Sequence, residues 1–549
     1  MAPNTNLNSV VCPPNEEKKK EDDRSEKAAS TAVDYETAIQ TAGQGKFQIG
    51  VMTAIGVYYI ACAFQTFCIS YLLPSAECDL RMTSYDKGLL NSSTFIGSLA
   101  GACIWGKLAD SWGRRSVILT ALAIDAVAAI LSSFMQSFWP FFILRLITGF
   151  TNLAAIPICY PYLGELHSSK YRSRALCWTE VFWALGTVLV PLVAWAIIPR
   201  PWLLGSRDIG FRYNSWRIFI AVSALPSILS ILAIYYFPES PAFLLGKGRH
   251  DEALEVFKQI YHFNTGRPTH TYPVKRLEMD SSFESDGGWN AENVEQKTES
   301  VMSRIMAMLN QMADLFRPPL LKNTMIGLLG LFSLQLGYFG FGMWFPELFN
   351  RFEEFQTAHP NQTASVCEVV AMEMKTPQWM LDWQNENISN ADIECLDDTI
   401  QPQVFINTFS IGSACIICAI FTGAFVEKIG RKRVIVTSML SAACCGAGSY
   451  FVTSATQNLV LSCLLQAFNA ASFSTLMSVI IELFPATLRG LATTILMNIS
   501  YIGSICGNII FGVLLDVNCA IPVFLSAGVV GACGVLCFFL PNTKNAVIS

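Results

Sequence analysis

Gly106-Lys-Leu-Ala-Asp110-Ser-Trp-Gly113-Arg114-Arg115 and Gly423-Ala-Phe-Val-Glu427-Lys-Ile-Gly430-Arg431-Lys432 are one pattern written twice. The second copy lies 317 positions after the first, from Gly106 to Gly423, with no gap. The same offset carries Glu165, Leu166 and Arg172 onto Glu482, Leu483 and Arg489. Both copies sit between long uncharged apolar runs, so the chain reads as a membrane protein of two related halves. Parallel repeats of this kind are the organisation of proteins that rock about a central site.

Composition agrees. Of 549 residues, 52% are hydrophobic and 14% charged, against about 25% charged in soluble domains. The apolar residues fall in uncharged runs such as Phe47–Ala76 and Val434–Ile480, and a span needs about 20 residues. Twelve spans are predicted, near 48–72, 88–106, 116–136, 140–163, 176–198, 217–237, 324–346, 404–426, 434–454, 459–480, 491–515 and 519–540. Arg114, Arg115, Lys170, Arg172, Arg174, Lys428, Arg431, Lys432, Arg433 and Arg489 all fall in short loops on one face. By the positive-inside rule that face is cytoplasmic, and both termini are with it. The net charge of −5 comes largely from tail and loops and gives no sign of nucleic-acid binding.

Expected domains are a disordered cytoplasmic tail 1–46, a first six-helix bundle 47–237, a cytoplasmic linker 238–322, a second bundle 323–541 and a cytoplasmic tail 542–549. The tail is rich in Lys, Glu and Asp, the composition of disorder, and shows no cleavable signal. The linker has apolar residues at helical spacing in 251–262 and 300–316. Within the second bundle, residues 347–402 form a long acidic loop on the luminal or extracellular face. It holds two glycosylation acceptors, Asn361-Gln-Thr363 and Asn387-Ile-Ser389. It also holds Cys367 and Cys395, a pair able to join in an oxidising compartment; the alternatives are two unpaired thiols or pairing with nearby Cys78 or Cys519. Other cysteines sit in apolar runs as small hydrophobes.

The quoted turn resembles the loop between helices 2 and 3 of the major facilitator superfamily, and its second copy resembles the loop between helices 8 and 9. Arg145-Leu-Ile-Thr-Gly149, Tyr162-Leu-Gly-Glu165 and Arg172 resemble that superfamily's helix 4–5 region. Pro238-Glu239-Ser240-Pro241 and Gly248-Arg249-His-Asp-Glu252-Ala253 resemble its sugar and organic-ion branches. Gly45-Lys46-Phe47-Gln48, Leu73-Pro74-Ser75-Ala76-Glu77, Ala194-Trp195-Ala196-Ile197-Ile198-Pro199, Ser215-Trp216-Arg217 and Gly340-Phe-Gly-Met-Trp344-Phe345-Pro346 are similar to the synaptic vesicle glycoprotein 2 family. The resemblance runs from Gly45 to Pro541. It implies an all-α membrane protein with the major facilitator fold, twelve transmembrane helices in two pseudo-symmetric bundles. One departure is that 347–402 is too short for the long luminal pentapeptide-repeat domain of those glycoproteins.

Charged groups at bilayer depth cost about 2.5–3.5 kcal/mol even on lenient insertion scales, so each is a candidate for function. Asp125 and Arg145 are read as a buried pair, structural or, in the alternative, a relay. Glu180 is read as a latch to Arg172 or Arg174, or in the alternative as a cavity residue beside Trp178 and Trp183. Glu165 and Glu482 read as gate parts. Gly113 and Gly430 permit tight turns, and Asp110 and Glu427 can pair with the adjacent arginines. Together with Gly106, Gly423, Arg114, Arg115, Arg431, Lys432, Arg172 and Arg489 they form the expected cytoplasmic gate. Spans 1, 4, 7 and 10 line the cavity if the superfamily's architecture holds, with Gln65, Asp125, Arg145, Glu180, Trp183, Gln335, Tyr338, Gln466, Asn469 and Phe473 as candidates. Cys62 and Gln65 stand where many proton-coupled relatives carry acids in helix 1, which weakens simple proton symport.

The chain is therefore expected to move a small organic solute by alternating access, as a monomer in a vesicle or plasma membrane. The competing expectation is a non-transporting regulator that binds exocytic proteins through its cytoplasmic segments. No enzyme constellation, nucleotide loop, cofactor site or metal site is recognisable, and none of the five histidines lies at ligand spacing.

Overall fold

The computed structural model describes residues 32–204, 211–277, 312–359, 367–369, 400–484 and 486–541. The helices are α1 (Tyr35–Ala42), α2 (Lys46–Leu80), α3 (Ser84–Trp112), α4 (Arg114–Ser133), α5 (Phe138–Glu165), α6 (Ser169–Ile197), α7 (Ser215–Val222) and α8 (Leu225–Tyr235) in the first half. α9 (Pro241–Gly246) and α10 (His250–Thr265) follow. The second half holds α11 (Leu321–Gly342), α12 (Phe345–Ala358), α13 (Pro402–Ile429), α14 (Arg431–Gly448), α15 (Ala455–Leu483), α16 (Ala486–Leu514) and α17 (Ala520–Leu536). Four two-residue strands, β1 (Ala32–Val33), β2 (Leu203–Leu204), β3 (Tyr213–Asn214) and β4 (Arg276–Leu277), pair as parallel β1–β4 and antiparallel β2–β3.

The internal repeat is a repeat of packing. α2 packs on α6 as α11 packs on α16, and α3 on α5 as α13 on α15. α4 meets α5 as α14 meets α15, and α2 meets α8 as α11 meets α17. Between the halves α3 crosses α16 and α6 crosses α13, a pair of contacts related by the same twofold. Large apolar side chains such as Trp139, Ile417, Phe421 and Phe451 stay exposed. In water such a surface would be an association patch; around a helical bundle it is the lipid-facing side.

Among the described residues eleven helical segments are long and apolar enough to cross a membrane. The expected span near 88–106 falls on α3, which has 29 residues but is not one of the eleven. At 1.5 Å per residue it is about 43 Å long, so length suffices. Its apolarity is lowered by Lys87, Asn91, Ser92, Ser93, Thr94 and Ser98, every one buried against other helices. Small and polar residues at helix crossings are how membrane bundles approach closely.

The tail reading fails over its last part. Residues 32–46 are folded, because Tyr35, Ala38, Ile39 and Ala42 recur at helical spacing and are all buried. Tyr35 stacks edge-on against Phe257 of α10, and Tyr272 Oη donates to Ala38 O at 2.7 Å. Glu36 accepts from the Ser169 N–H at 2.9 Å and its hydroxyl at 2.8 Å, tying the segment to the start of α6. Burial pushes the Glu36 carboxyl up, but donors Gln40 and Ser169, with the charge of Arg172, outweigh it and hold it below the usual range. The surrounding charge density hid a four-residue apolar stripe.

Candidate functional site

The site is the surface where the two halves meet, and its two ends are built differently. At the end opposite the basic loops, Lys87 has a fully buried ammonium that donates to Glu77 at 2.7 Å and Glu347 at 2.6 Å. Glu77 closes α2, Lys87 opens α3, and Glu347 opens α12, so the network joins the halves. Arg351, one turn along α12, meets Glu347 at 2.8 Å and Asp516 at 3.7 Å. Beside it the backbones of α3 and α16 touch: a Cβ on Gly88 would lie 2.7 Å from Asn508 O, and one on Gly512 2.8 Å from Ser84 O. Below, Phe339 of α11 packs on Phe67 and Phe95, and Tyr71 stacks on Phe405. Sequence reasoning missed this network. The signal was available: Lys87 stands at the edge of an apolar run whose first span residue was placed at 88, and Glu347 follows Pro346 directly.

Toward the basic loops the same interface opens into a cleft lined by Ala102, Gly106, Ala154, Pro157 and Ile158 on one side. Thr494, Met497, Asn498 and Tyr501 line the other. Tyr501 Oη reaches across to Leu153 O at 3.4 Å. Glu180 of α6 is exposed, and its Oε1 accepts from Tyr160 Oη at 3.4 Å. No Lys or Arg lies within ion-pair distance of it among the described residues. The latch to Arg172 is thus corrected: Arg172 instead donates from Nε to Gly164 O at 3.1 Å within its own loop. The side chain of Arg174 is outside the described residues.

The charged corner of the first half is knit within that half. Gly113 has φ +103° and Gly430 has φ +100°, the left-handed region that favours glycine, so both turns are as expected. Asp110 is exposed, with Arg114 and Lys247 the cations acting on it. Arg114 pairs with Glu165 at 3.1 Å, and Glu165 accepts from Ser240 Oγ. Glu239 takes the N–H of Arg115 at 2.8 Å and of Ser116 at 3.2 Å. These are orphan donors of the first turn of α4, where a carboxylate both caps and complements the helix dipole. Arg115 Nη2 donates to Tyr235 O at 2.6 Å. Gly106 borders the cleft, and a Cβ on either Gly106 or Gly423 would meet nothing within 4 Å. The side chains of Glu427, Glu482 and Arg489 lie outside the described residues; Arg431 and Lys432 open α14.

The Asp125–Arg145 pair is also corrected. Arg145 is fully buried and donates to Gln65 Oε1 at 3.0 Å, Ser132 Oγ at 2.6 Å and Cys68 Sγ at 3.4 Å, with its guanidinium 5.5 Å from the Phe141 ring. Asp125 Oδ2 accepts from Ser227 Oγ at 2.6 Å and Asn152 Nδ2 at 2.9 Å, and Oδ1 accepts nothing. The reason is antiparallel register. α4 and α5 run in opposite directions, so Asp125 faces Asn152, and one step of seven residues along both helices Ser132 faces Arg145. Seven residues are about 10 Å of helix, which separates the two charges in depth. Gln65, with its amide also on Ser223 O at 3.2 Å, and Arg145 are bundle interior rather than cavity wall.

In the second half, Gln466 Nε2 donates to Tyr338 O at 2.9 Å and its Oε1 has no partner. Asn469 is buried with neither amide atom partnered, and a Cβ on Gly337 would lie 3.5 Å from its Nδ2. Gln335 is buried, and Trp183, Tyr338 and Phe473 are half-buried. Cys367 is bonded to Cys519, with Cα atoms 5.3 Å apart, rather than to Cys395; the fold brings the 367 segment against the turn before α17. Cys78 is disulfide-bonded as well. Cys395, Asn361 and Asn387 lie outside the described residues.

The profile of the family described as "Sugar (and other) transporter" matches residues 38–312, and that of the "Major Facilitator Superfamily" matches residues 400–547. Synaptic vesicle glycoprotein 2B of Mus musculus is 28% identical over 96% of this chain and 88% of its own length. Synaptic vesicle glycoprotein 2A of Rattus norvegicus is 31% identical over 59% of this chain and 45% of its own. The inward-open conformation of the xylose transporter XylE from E. coli has the same fold, with a TM-score of 0.63 at 16% identity over 91% of this chain and 98% of that one. The partially occluded inward-open form gives 0.59 over 90% and 100%. The repeat, the paired packing and both profiles place this chain in the sugar (and other) transporter family of the major facilitator superfamily.

Proposed function

We propose that this protein carries a small organic solute across a membrane by alternating access, with twelve spans and both termini cytoplasmic. The observation that carries the reading is the one-sided interface. The halves are fastened at the far end by the buried Lys87 network, while the basic end opens to a cleft bordered by Gly106 and Tyr501. Rocking the bundles 47–237 and 323–541 about this interface would exchange the closed end for the open one. The repeated turns, with Gly106, Asp110 and Arg114 in one half and Gly423, Glu427 and Arg431 in the other, then close the cytoplasmic side. Relatives named for synaptic vesicles support a vesicle membrane as the site of action. The Arg145–Gln65 hydrogen bond, with no helix 1 acid in its place, supports facilitated diffusion or exchange over simple proton symport.

The test is flux. Full-length protein in proteoliposomes is assayed with labelled sugars, organic cations and organic anions. Saturable uptake of at least one class, lost in Asp110→Ala, is the expected result. No uptake across the panel, together with tight binding of cytosolic exocytic proteins by residues 1–46 and 238–322, would replace the carrier with the regulator.

A further inference from the structure

We infer that Glu180 and the aromatic rings around it form a binding site for an organic cation. The inference rests on the transport reading above and names the solute class it serves. Glu180 is exposed although it lies eleven residues into α6, so the surface it reaches is a gap inside the protein or the lipid face. Its neighbours decide which. Tyr160 of α5 donates to it at 3.4 Å, and Tyr59 of α2 packs edge-on against Tyr160 with centroids 6.2 Å apart. Trp183, one turn along α6 from Glu180, meets Phe67 edge-on with centroids 6.3 Å apart, and Phe67 stacks on Phe339 of α11 in the other half. Farther along α6, a Cβ on Gly412 of α13 would lie 3.3 Å from Thr187 O. The stretch of α6 that carries Glu180 therefore lies against the gap between the halves.

The chemistry of this set is specific. An exposed carboxylate beside aromatic rings, with no basic side chain within ion-pair distance among the described residues, attracts a mobile cation more strongly than it would in bulk water. Tyr and Trp faces attract the same charge through their quadrupoles, and carboxylate plus aromatic walls is the composition that holds ammonium groups. An anionic solute finds no cation here, because Arg145 is fully buried and occupied by Gln65 and Ser132. A sugar would use paired donors and acceptors; around Glu180 the walls offer rings.

The test uses purified full-length protein in detergent, followed by tryptophan fluorescence and thermal shift. Choline and tetraethylammonium are titrated against 3,3-dimethylbutanol, the uncharged isostere of choline, and against xylose. Choline is expected to bind at least about tenfold tighter than the isostere. Glu180→Gln should erase that preference without lowering the melting temperature, since the side chain is exposed. Tyr160→Phe should keep cation binding and Tyr160→Ala weaken it. Equal binding of choline and its isostere, no saturable cation binding by the unmodified protein, or an unchanged preference in Glu180→Gln would each overturn the inference. Uptake of a neutral solute in the flux assay without cation preference would sink the cation site and leave transport standing. Cation-selective binding with no flux of any solute would do the reverse.

Discussion

The two ends of the inter-half surface use charge in opposite ways. At the far end charge crosses the gap: Lys87 of the first half is buried between Glu77 and Glu347, and Glu347 belongs to the second half. At the basic end the described charges of the first half turn inward, Arg114 to Glu165 and Glu239 to the start of α4. A buried pair shared between two bodies resists their separation, because parting them strands desolvated charge. A pair inside one body stiffens it and leaves its motion against the other free. The difference teaches that the charged corner of the first half is tied within its own bundle, and that the charged contact joining the halves at the far end comes from residues outside the repeat.

The largest expected effect follows from Lys87. Lys87→Ala leaves Glu77 and Glu347 without their shared cation and should weaken far-end closure by about 3–5 kcal/mol. Thiol- or amine-labelling of positions beside the network is expected to rise sharply, with a lower melting temperature in detergent. Unchanged labelling would mean that Gly88, Gly512 and the aromatic layer hold that end unaided. Next in size is the disulfide, which spans 152 residues of sequence within the second half. Cys519→Ser should cost about 2–4 kcal/mol of stability yet leave far-end labelling unchanged, because the bond crosses no gap between halves. Increased labelling in this variant would show that the loop it tethers is part of the seal.

What was legible beforehand divides along the same line. The repeat, apolar runs and positive-inside asymmetry are local properties of the chain, and from Gly113 and Gly430 even the left-handed turns could be read. Partners were not legible, because they depend on register and on which helices face each other. Asp125 and Arg145 each look unpaired in sequence, and only the antiparallel alignment of α4 with α5 assigns them to Asn152 and Ser132. Cys367 had three potential partners and the fold selects Cys519. Glu239 was visible as part of a motif, but its role as a cap on a helix 124 residues earlier was not. Charge-rich composition misread residues 32–46, where four buried side chains outweigh the polar ones around them.

The cap offers a sharper cut. Glu239→Ala removes the acceptor for two α4 amides and should cost about 1–2 kcal/mol, visible as faster hydrogen exchange at Arg115 and Ser116. Its effect should add to that of Lys87→Ala within about 0.5 kcal/mol, as expected of distant sites with no shared partner. Strong non-additivity would couple the two ends through the bundle and break the contrast between them.

The smallest effect concerns His167, buried in the loop between α5 and α6 with Nδ1 on Leu163 O at 2.8 Å. Burial pushes its pKa down; the Leu163 carbonyl opposes this and the charge of Arg172 adds to it. An imidazole whose folded pKa is depressed binds its proton more readily when unfolded, near pH 6.5. Its stabilising contribution is therefore complete above about pH 6.5 and is lost as the pH falls from there toward the folded value. Melting temperatures recorded from about pH 7.5 down to about pH 5.5 should fall more for the unmodified protein than for His167→Gln. Equal slopes would place the acid sensitivity elsewhere. Since the loop lies at the basic end, far-end labelling should stay constant across the same range, so that a pH effect confined to one end tests the independence of the two without altering either network.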